Sequence, residues 1–262
     1  MAIASIRDLL EAGVHFGART SSWHPAMAPY IYGKRSGVHI IDLRETLRGL
    51  IRAYKFLESL TAQGQRVVFV GTKRQAQEIV RAEAQRCGQF FVAQRWLGGT
   101  LTNLRTVRER VTRLQELEEL EESGRIEQFS KKMISAINRE KRKISRNFEG
   151  IRDMTELPGA LVLVDPKDER IALAEAVKLN IPTLALADTD CDPEPLDFVI
   201  PGNDESHRAI QTIVQVLADA CEAGRAKASQ QAMLKARAGQ AAAGPAQDIS
   251  PDVGAVSYGR EG

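Results

Sequence analysis

No apolar run in the 262 residues approaches the roughly 20 that a bilayer-spanning helix needs, so the expectation is a protein that is not integral to a membrane. The opening stretch MAIASIRDLLEAG also lacks a long apolar core, and it carries Asp8 and Glu11, unlike a secretory signal. Cysteine is scarce. Cys87, Cys191 and Cys221 lie far apart with no Cys-x-x-Cys pair, which argues against a disulfide framework or a zinc ribbon and suits a reducing compartment. Neither GxxxxGK[ST] nor GxGxxG occurs, so the phosphate-loop signatures of nucleotide enzymes are missing. No Ser-His-Asp or paired-Glu set completes a hydrolytic site, and the chain has no internal repeat.

What remains is an ordinary globular composition, 43% hydrophobic and 27% charged, in a chain long enough for a substantial core. The net charge of +2 conceals a partition. Residues 1–156 hold 27 Lys and Arg against 18 Asp and Glu; residues 157–206 hold 3 against 11; residues 207–262 hold 6 against 5. The basic part suits a polyanionic partner, although solvated faces that happen to segregate give the same count.

Six short runs rich in β-branched residues, Val38–Asp42, Val67–Gly71, Phe90–Gln94, Ala160–Asp165, Thr183–Ala187 and Phe198–Ile200, have the unalternating apolar character of strands buried on both faces. Helical patterns over residues 44–62, 73–87, 168–179 and 205–221 lie between or after them, the last with Asn203-Asp204 as its cap. The alternation predicts a mainly parallel sheet of about five strands covered by helices on both faces.

Residues 103–150 break the rhythm. Leu104, Val107, Val111, Leu114, Leu117 and Leu120 make one apolar stripe, and Ile126, Phe129, Met133, Ile137, Ile144 and Phe148 make a second after Ser123-Gly124. The pattern predicts an antiparallel helical hairpin inserted in the α/β domain, the alternative being two helices folded back on the sheet. The domains expected are therefore 1–102 plus 151–224 as the α/β body, 103–150 as a projecting hairpin, and 225–262, rich in Ala, Gly, Gln and Ser, as a disordered tail.

Five constellations are candidates for chemistry. VVFVGTKRQAQ runs from a strand through Gly71 to a helix start, where backbone amides with Lys73 and Arg74 suit a phosphate; the plainer reading is a βα turn. RWLGGTLTN, with Arg95 and Trp96 before Gly98-Gly99, fits either a hinge or a place where backbone meets RNA. Residues 13–42 interleave Phe16, Trp23, Tyr30 and Tyr32 with Arg19, Lys34 and Arg35, as an irregular RNA surface requires, and hold His15, His24 and His39 without zinc-site spacing. From Lys131 to Arg146 seven cations face one acid, Glu140; this suits a phosphate backbone, or internal pairing with the Glu-rich first arm. Residues 185–206 crowd Asp188, Asp190, Asp192, Asp204 and Glu205 after a strand. Turn and cap chemistry accounts for them, with a structural divalent cation at Asp188 and Asp204 as the alternative and no firm metal site.

LLEAGVHFGARTSSWHPAMAPYIYGKRSGVHIIDLRET resembles the N-terminal signature of the bacterial-type small-subunit ribosomal protein family called S-two. FVGTKRQA, FFVAQRWLGGTLTN and ALVLVDPKDERIALAEAVKLNIPTLALADTDCDPEPLDFVIPGNDES are similar to its later blocks, in order, so that the likeness spans about residues 2–224. Ala18, Gly159 and Asp190 stand where the family usually has His, Asp and Asn. The resemblance implies a three-layer, Rossmann/flavodoxin-like α/β fold with an inserted antiparallel coiled-coil hairpin, and no enzymatic activity. It also implies a place on the cytoplasmic ribosome of a prokaryote or organelle, binding to small-subunit rRNA near the head–body junction, and neighbours that include the S-one protein. No membrane, cofactor or small-molecule substrate is expected. The nucleic-acid contacts expected are Arg19, Trp23, His24, Lys34, Arg35, Lys73, Arg74, Arg95, Trp96, Arg105, Arg108, Lys131, Lys132, Lys141 and Arg142, and the protein-facing acids are Asp192, Glu194 and Glu205. The rival reading is a cytosolic α/β enzyme with a phosphate-containing substrate.

Overall fold

The computed structural model describes residues 4–242. Five strands form one parallel sheet: β4 (Val67–Val70), β5 (Phe90–Val92), β6 (Ala160–Val164), β7 (Thr183–Ala187) and β8 (Phe198–Pro201), in the spatial order β5-β4-β6-β7-β8. Within the sheet this is the order 2-1-3-4-5, the flavodoxin-like winding, which reverses direction between β4 and β6. Each of these strands matches an apolar run of the sequence.

Alternation along the strands divides the core into two layers. Val67, Phe69, Val162, Val164, Leu184 and Leu186 join one cluster with α1 (Ile6–Glu11), α2 (Leu43–Ala62), α3 (Gln77–Cys87) and the first part of α7 (His207–Ala242). Val68, Val70, Leu161, Leu163, Ala185 and Ala187 join a second with α4 (Leu104–Glu122), α5 (Lys131–Phe148) and α6 (Arg170–Lys178). A strand residue of either parity is therefore buried, which is why these runs show no polar alternation.

Val38–Asp42 is the exception among the six runs. It supplies β3 (Val38–Ile41), the middle strand of a separate antiparallel sheet with β1 (Phe16–Arg19) and β2 (Ile31–Arg35), in the order β1-β3-β2. Only His39 and Ile41 of β3 are buried. A four-residue apolar run carries no mark of whether its neighbours are parallel, and β1 and β2, which contain glycines and cations, have too weak a pattern to be read as strands.

The apolar stripes of residues 103–150 do form helices. Val107, Val111, Leu114 and Leu117 of α4 are buried, as are Ile144 and Phe148 of α5; the two helices pack on each other, and α5 leads through a short turn of 3₁₀ helix, Glu149–Ile151, onto β5. Residues 225–242, read from composition as tail, are instead helical, because α7 runs to Ala242. Alanine, Lys, Gln and Arg are strong helix formers, so the same composition that lacks core residues favours a helix. The rest of the expected tail, 243–262, lies outside the described residues. Of the described residues, those from 4 to 228 form one compact unit, and those from 229 to 242 belong to a second.

Candidate nucleic-acid interface

The reversal of strand order opens a crevice at the C-terminal ends of β4 and β6, the place where α/β sheets of this winding bind ligands. The sequence puts Thr72-Lys73-Arg74 after β4 and Asp165-Pro166 after β6. Lys73 Nζ lies 2.5 Å from Asp165 Oδ2 and 3.0 Å from Asp204 Oδ1, with both carboxylates nearly inaccessible. Asp165 is held at φ +64°, a left-handed conformation that Asp tolerates better than most residues but that the following proline disfavours. Its other oxygen caps the next turn, accepting from Lys167 N at 2.9 Å. Glu169 Oε1 accepts from Thr72 N at 2.6 Å.

The N-terminal sheet is tied to the neighbouring strand end, the loop after β7. Asp188 Oδ1 accepts from Ala18 N at 2.9 Å, and the same N–H reaches Thr189 Oγ1 at 2.9 Å. His24 N donates to Thr189 O at 2.8 Å. Gly17 permits the approach: a Cβ there would sit 2.8 Å from Thr189 Cγ2. Burial pushes the Asp188 carboxyl up to about 6. Burial, with repulsion from Asp165, pushes Asp204 up to about 8 even though Lys73 opposes the shift. One ammonium thus serves two buried carboxylates whose mutual repulsion it only partly relieves.

Two sequence expectations fall on this cluster. Lys73 is the counter-ion of Asp165 and Asp204. Asp188 and Asp204, proposed as cation ligands, are met by N–H, O–H and ammonium donors, and among the described residues no group of three or more His, Cys, Asp or Glu side chains is arranged for a metal. Arg74, the next residue, is exposed.

Trp96 is also placed differently from its expectation. The ring is buried, and its Nε1 donates to Glu175 Oε1 at 3.1 Å, so it has no face to offer a base. Glu175, on α6, organises the whole RWLGGTLTN segment. Its carboxylate also accepts from the backbone N–H groups of Gly99 (2.7 Å), Leu101 (2.9 Å) and Thr102 (3.1 Å) and from the Thr102 hydroxyl at 3.2 Å. Burial raises a carboxyl pKa, but here the donors from Thr102, Leu101, Trp96 and Gly99 outweigh it and hold Glu175 below the ordinary Glu value. Sequence reasoning missed this residue because the loop it holds lies more than seventy positions earlier. The one available signal was a lone acid within the apolar pattern of α6.

The exposed cations form the remaining groups. Arg19, Lys34 and Arg35 lie on β1 and β2, exposed and without an ion pair among the described residues. Trp23 is 38% exposed, and its ring centroid is 5.2 Å from that of His39. His24 is half-buried at the start of a 3₁₀ turn, its Nδ1 buried without a partner. Arg95 and Arg108 are exposed, and Arg105 is exposed but paired with Glu109 at 3.2 Å.

On α5 the charges divide between the two alternatives. Lys141 pairs with Glu121 across to α4, and Glu140 meets Arg113 at 3.5 Å. Lys131, Lys132, Lys143 and Arg146 are exposed with no ion pair among the described residues, and Arg142 only returns a hydrogen bond to Asn138 O at 3.1 Å. Internal pairing therefore neutralises a minority of the arm. On the acidic side Asp192, Glu194 and Glu205 are all exposed.

Two comparisons bear on this arrangement. Residues 9–224 match the family model described as ribosomal protein S2. The chain is 52% identical over 243 residues to the small ribosomal subunit protein uS2 of Rhodopirellula baltica, an alignment covering 93% of this chain and 94% of that relative.

Proposed function

Because this chain belongs to the ribosomal protein S2 family, we propose that it is a constituent of the small ribosomal subunit that binds the subunit's rRNA near the head–body junction and helps recruit the S-one protein. The family is structural and non-enzymatic. The rival reading, an enzyme with a phosphate-containing substrate, accordingly falls, and Lys73, the cation it would use, is paired with Asp165 and Asp204. The place of work is the cytoplasmic ribosome.

The observation that carries the RNA reading is the row of exposed, unpaired cations on α5. Lys131, Lys132, Lys143 and Arg146 have no internal neutralisation, and a phosphate backbone supplies it with release of condensed counterions. We assign the same role to Arg19, Lys34 and Arg35 beside the open face of Trp23. Residues 103–150 act in this scheme as a projecting antiparallel hairpin, inserted between 1–102 and 151–224, whose buried residues share one apolar cluster with the sheet. The mutual packing of α4 and α5 supports that role. Asp192, Glu194 and Glu205 face protein, because exposed carboxylates repel a phosphate strand.

The test is retention on the small subunit during sedimentation at high salt. The wild-type chain is expected to remain bound, and a variant with Lys131, Lys132, Lys143 and Arg146 replaced by Ala is expected to dissociate at lower salt. Unchanged retention of that variant would show the arm to be a solvated face. Asp192→Lys, Glu194→Lys and Glu205→Lys together should reduce S-one retention more than retention of the chain itself.

A further inference from the structure

Helix α2 carries a basic stripe that the sequence analysis did not single out. Arg44, Arg48, Arg52 and Lys55 recur at intervals of four, four and three, which puts them on one face over about 16 Å. All four are exposed. Arg44 and Arg48 have acidic partners at the helix start, Asp42 and Glu45, whereas Arg52 and Lys55 have no ion pair among the described residues.

Beside the stripe lies a concavity of about 400 Å³, lined by Tyr30, Glu45, Arg48, Gly49, Ile51, Arg52 and Val199. It exists because Gly49 brings α2 against the edge strand β8. A Cβ at residue 49 would stand 2.3 Å from Val199 O, so any side chain would drive the helix away from the strand. Tyr30, Ile51 and Val199 give the hollow an apolar and aromatic lining; at its rim Arg48 pairs with Glu45, and Arg52 has no ion pair among the described residues. Two other concavities have different characters. The one between Gln63–Arg66 and Asp153–Gly159 is lined by Asp153 and Glu156 as well as Arg66, and the one at Lys141, Arg142 and Arg146 belongs to the arm already described.

An apolar slot with guanidinium groups at its rim has the features that bind an unstacked nucleotide: a surface for the base and separate charges for the phosphates on either side. We propose that this groove is a second RNA site, in which Arg48, Arg52 and Lys55 hold consecutive phosphates of a single strand while one splayed-out base lodges against Tyr30 and Ile51. The proposal rests on the reading that RNA is the partner of this chain. Charge complementarity selects that occupant, since an acidic protein segment would use the rim and leave the aromatic slot empty.

The test uses the full-length chain and small-subunit particles lacking it, with binding measured across a range of salt. Replacing Arg48, Arg52 and Lys55 by Ala is expected to weaken binding at least tenfold and to reduce the salt slope by about two, near 0.7 for each lost single-strand phosphate contact. Ultraviolet cross-linking of the assembled particle, read by mass spectrometry, should find a nucleotide on the peptide that contains Tyr30 or the one that contains Ile51. A thermal melt of each variant checks that the fold persists. An unchanged salt slope together with no adduct on either peptide overturns the proposal, as does loss of a protein neighbour with RNA binding intact. If the triple variant binds normally while the α5 variant does not, only this groove is refuted; if neither variant weakens binding, the RNA reading itself fails.

Discussion

The strand-end cluster around Lys73 and the cations of α4 and α5 use the same side-chain types under opposite conditions. Lys73 sits between the buried carboxylates of Asp165 and Asp204, where each charge has a fixed protein partner. Its sequence neighbour Arg74, and Lys131 and Lys132 on α5, face solvent without one. Buried charges are costly to separate from their partners and so maintain the fold; exposed ones contribute little to it and remain free for another molecule. The two regions show that position in the fold, rather than residue type, decides which cations are available to RNA.

The largest effect should come from breaking the buried side of this contrast. Lys73→Met is expected to lower stability by about 3 kcal/mol, because it leaves Asp165 and Asp204 facing each other without a cation. Arg74→Met should change stability by less than about 0.5 kcal/mol. Urea denaturation midpoints measure both, and equal shifts for the two would erase the distinction.

Glu175→Gln should cost about 2 kcal/mol, since an amide nitrogen would then oppose N–H donors that the carboxylate accepts. Its signature beyond stability is increased amide exchange over residues 97–102. Exchange confined to α6 instead would show that the carboxylate does not hold the loop.

A pH series sharpens the comparison within the cluster. Asp204 has a folded pKa of about 8 against an ordinary 3.8, so the native state binds the proton more tightly than the unfolded chain does. Its contribution is complete below about pH 4 and is lost as the pH rises to about 8. Asp204→Asn should flatten that limb of the melting-temperature curve. Glu175, depressed below its ordinary 4.5, gives the opposite limb: its contribution is present above that value and lost as the pH falls. Glu175→Gln should flatten only the acid side.

The smallest effect belongs to the exposed side. Arg105→Ala breaks an exposed pair with Glu109 and should alter stability by no more than about 0.5 kcal/mol. If Arg105 contacts phosphate, the salt slope for subunit binding should fall by about one in the same variant.

Much of the fold was legible because its strands are buried on both faces. Runs such as ALVLV and TLALA have no polar alternation, and the turns after them carry Gly71, Asp165 and Asp188. The antiparallel sheet was not legible, since β1 and β2 mix Gly, Lys and Arg with few apolar residues and acquire their pairing only from β3. The candidate site was half legible. Cation-rich helix faces show in sequence, but whether a cation is spent internally depends on contacts between distant residues. Lys73 and Trp96 looked like RNA ligands for that reason, and their partners Asp204 and Glu175 come from other parts of the chain. Residues 225–242 show the converse, because an alanine-rich composition without core residues is also a helix-forming one.

The winding of the sheet also sets an order of events during synthesis. β4 and β5 emerge first and are neighbours, but β6 must add on the far side of β4 after α4 and α5 have been made, and β7 and β8 extend the same edge later still. Until then Lys73 has no counter-ion, since Asp165 arrives with the end of β6 and Asp204 only after β8. A nascent chain stopped short of β8 presents the unpaired edge of β7 to solvent, with Lys73 still lacking its second carboxylate. An unfinished copy is thereby physically distinguishable from a finished one before it ever meets its partners: it exposes the edge of β7 that β8 covers in the completed sheet.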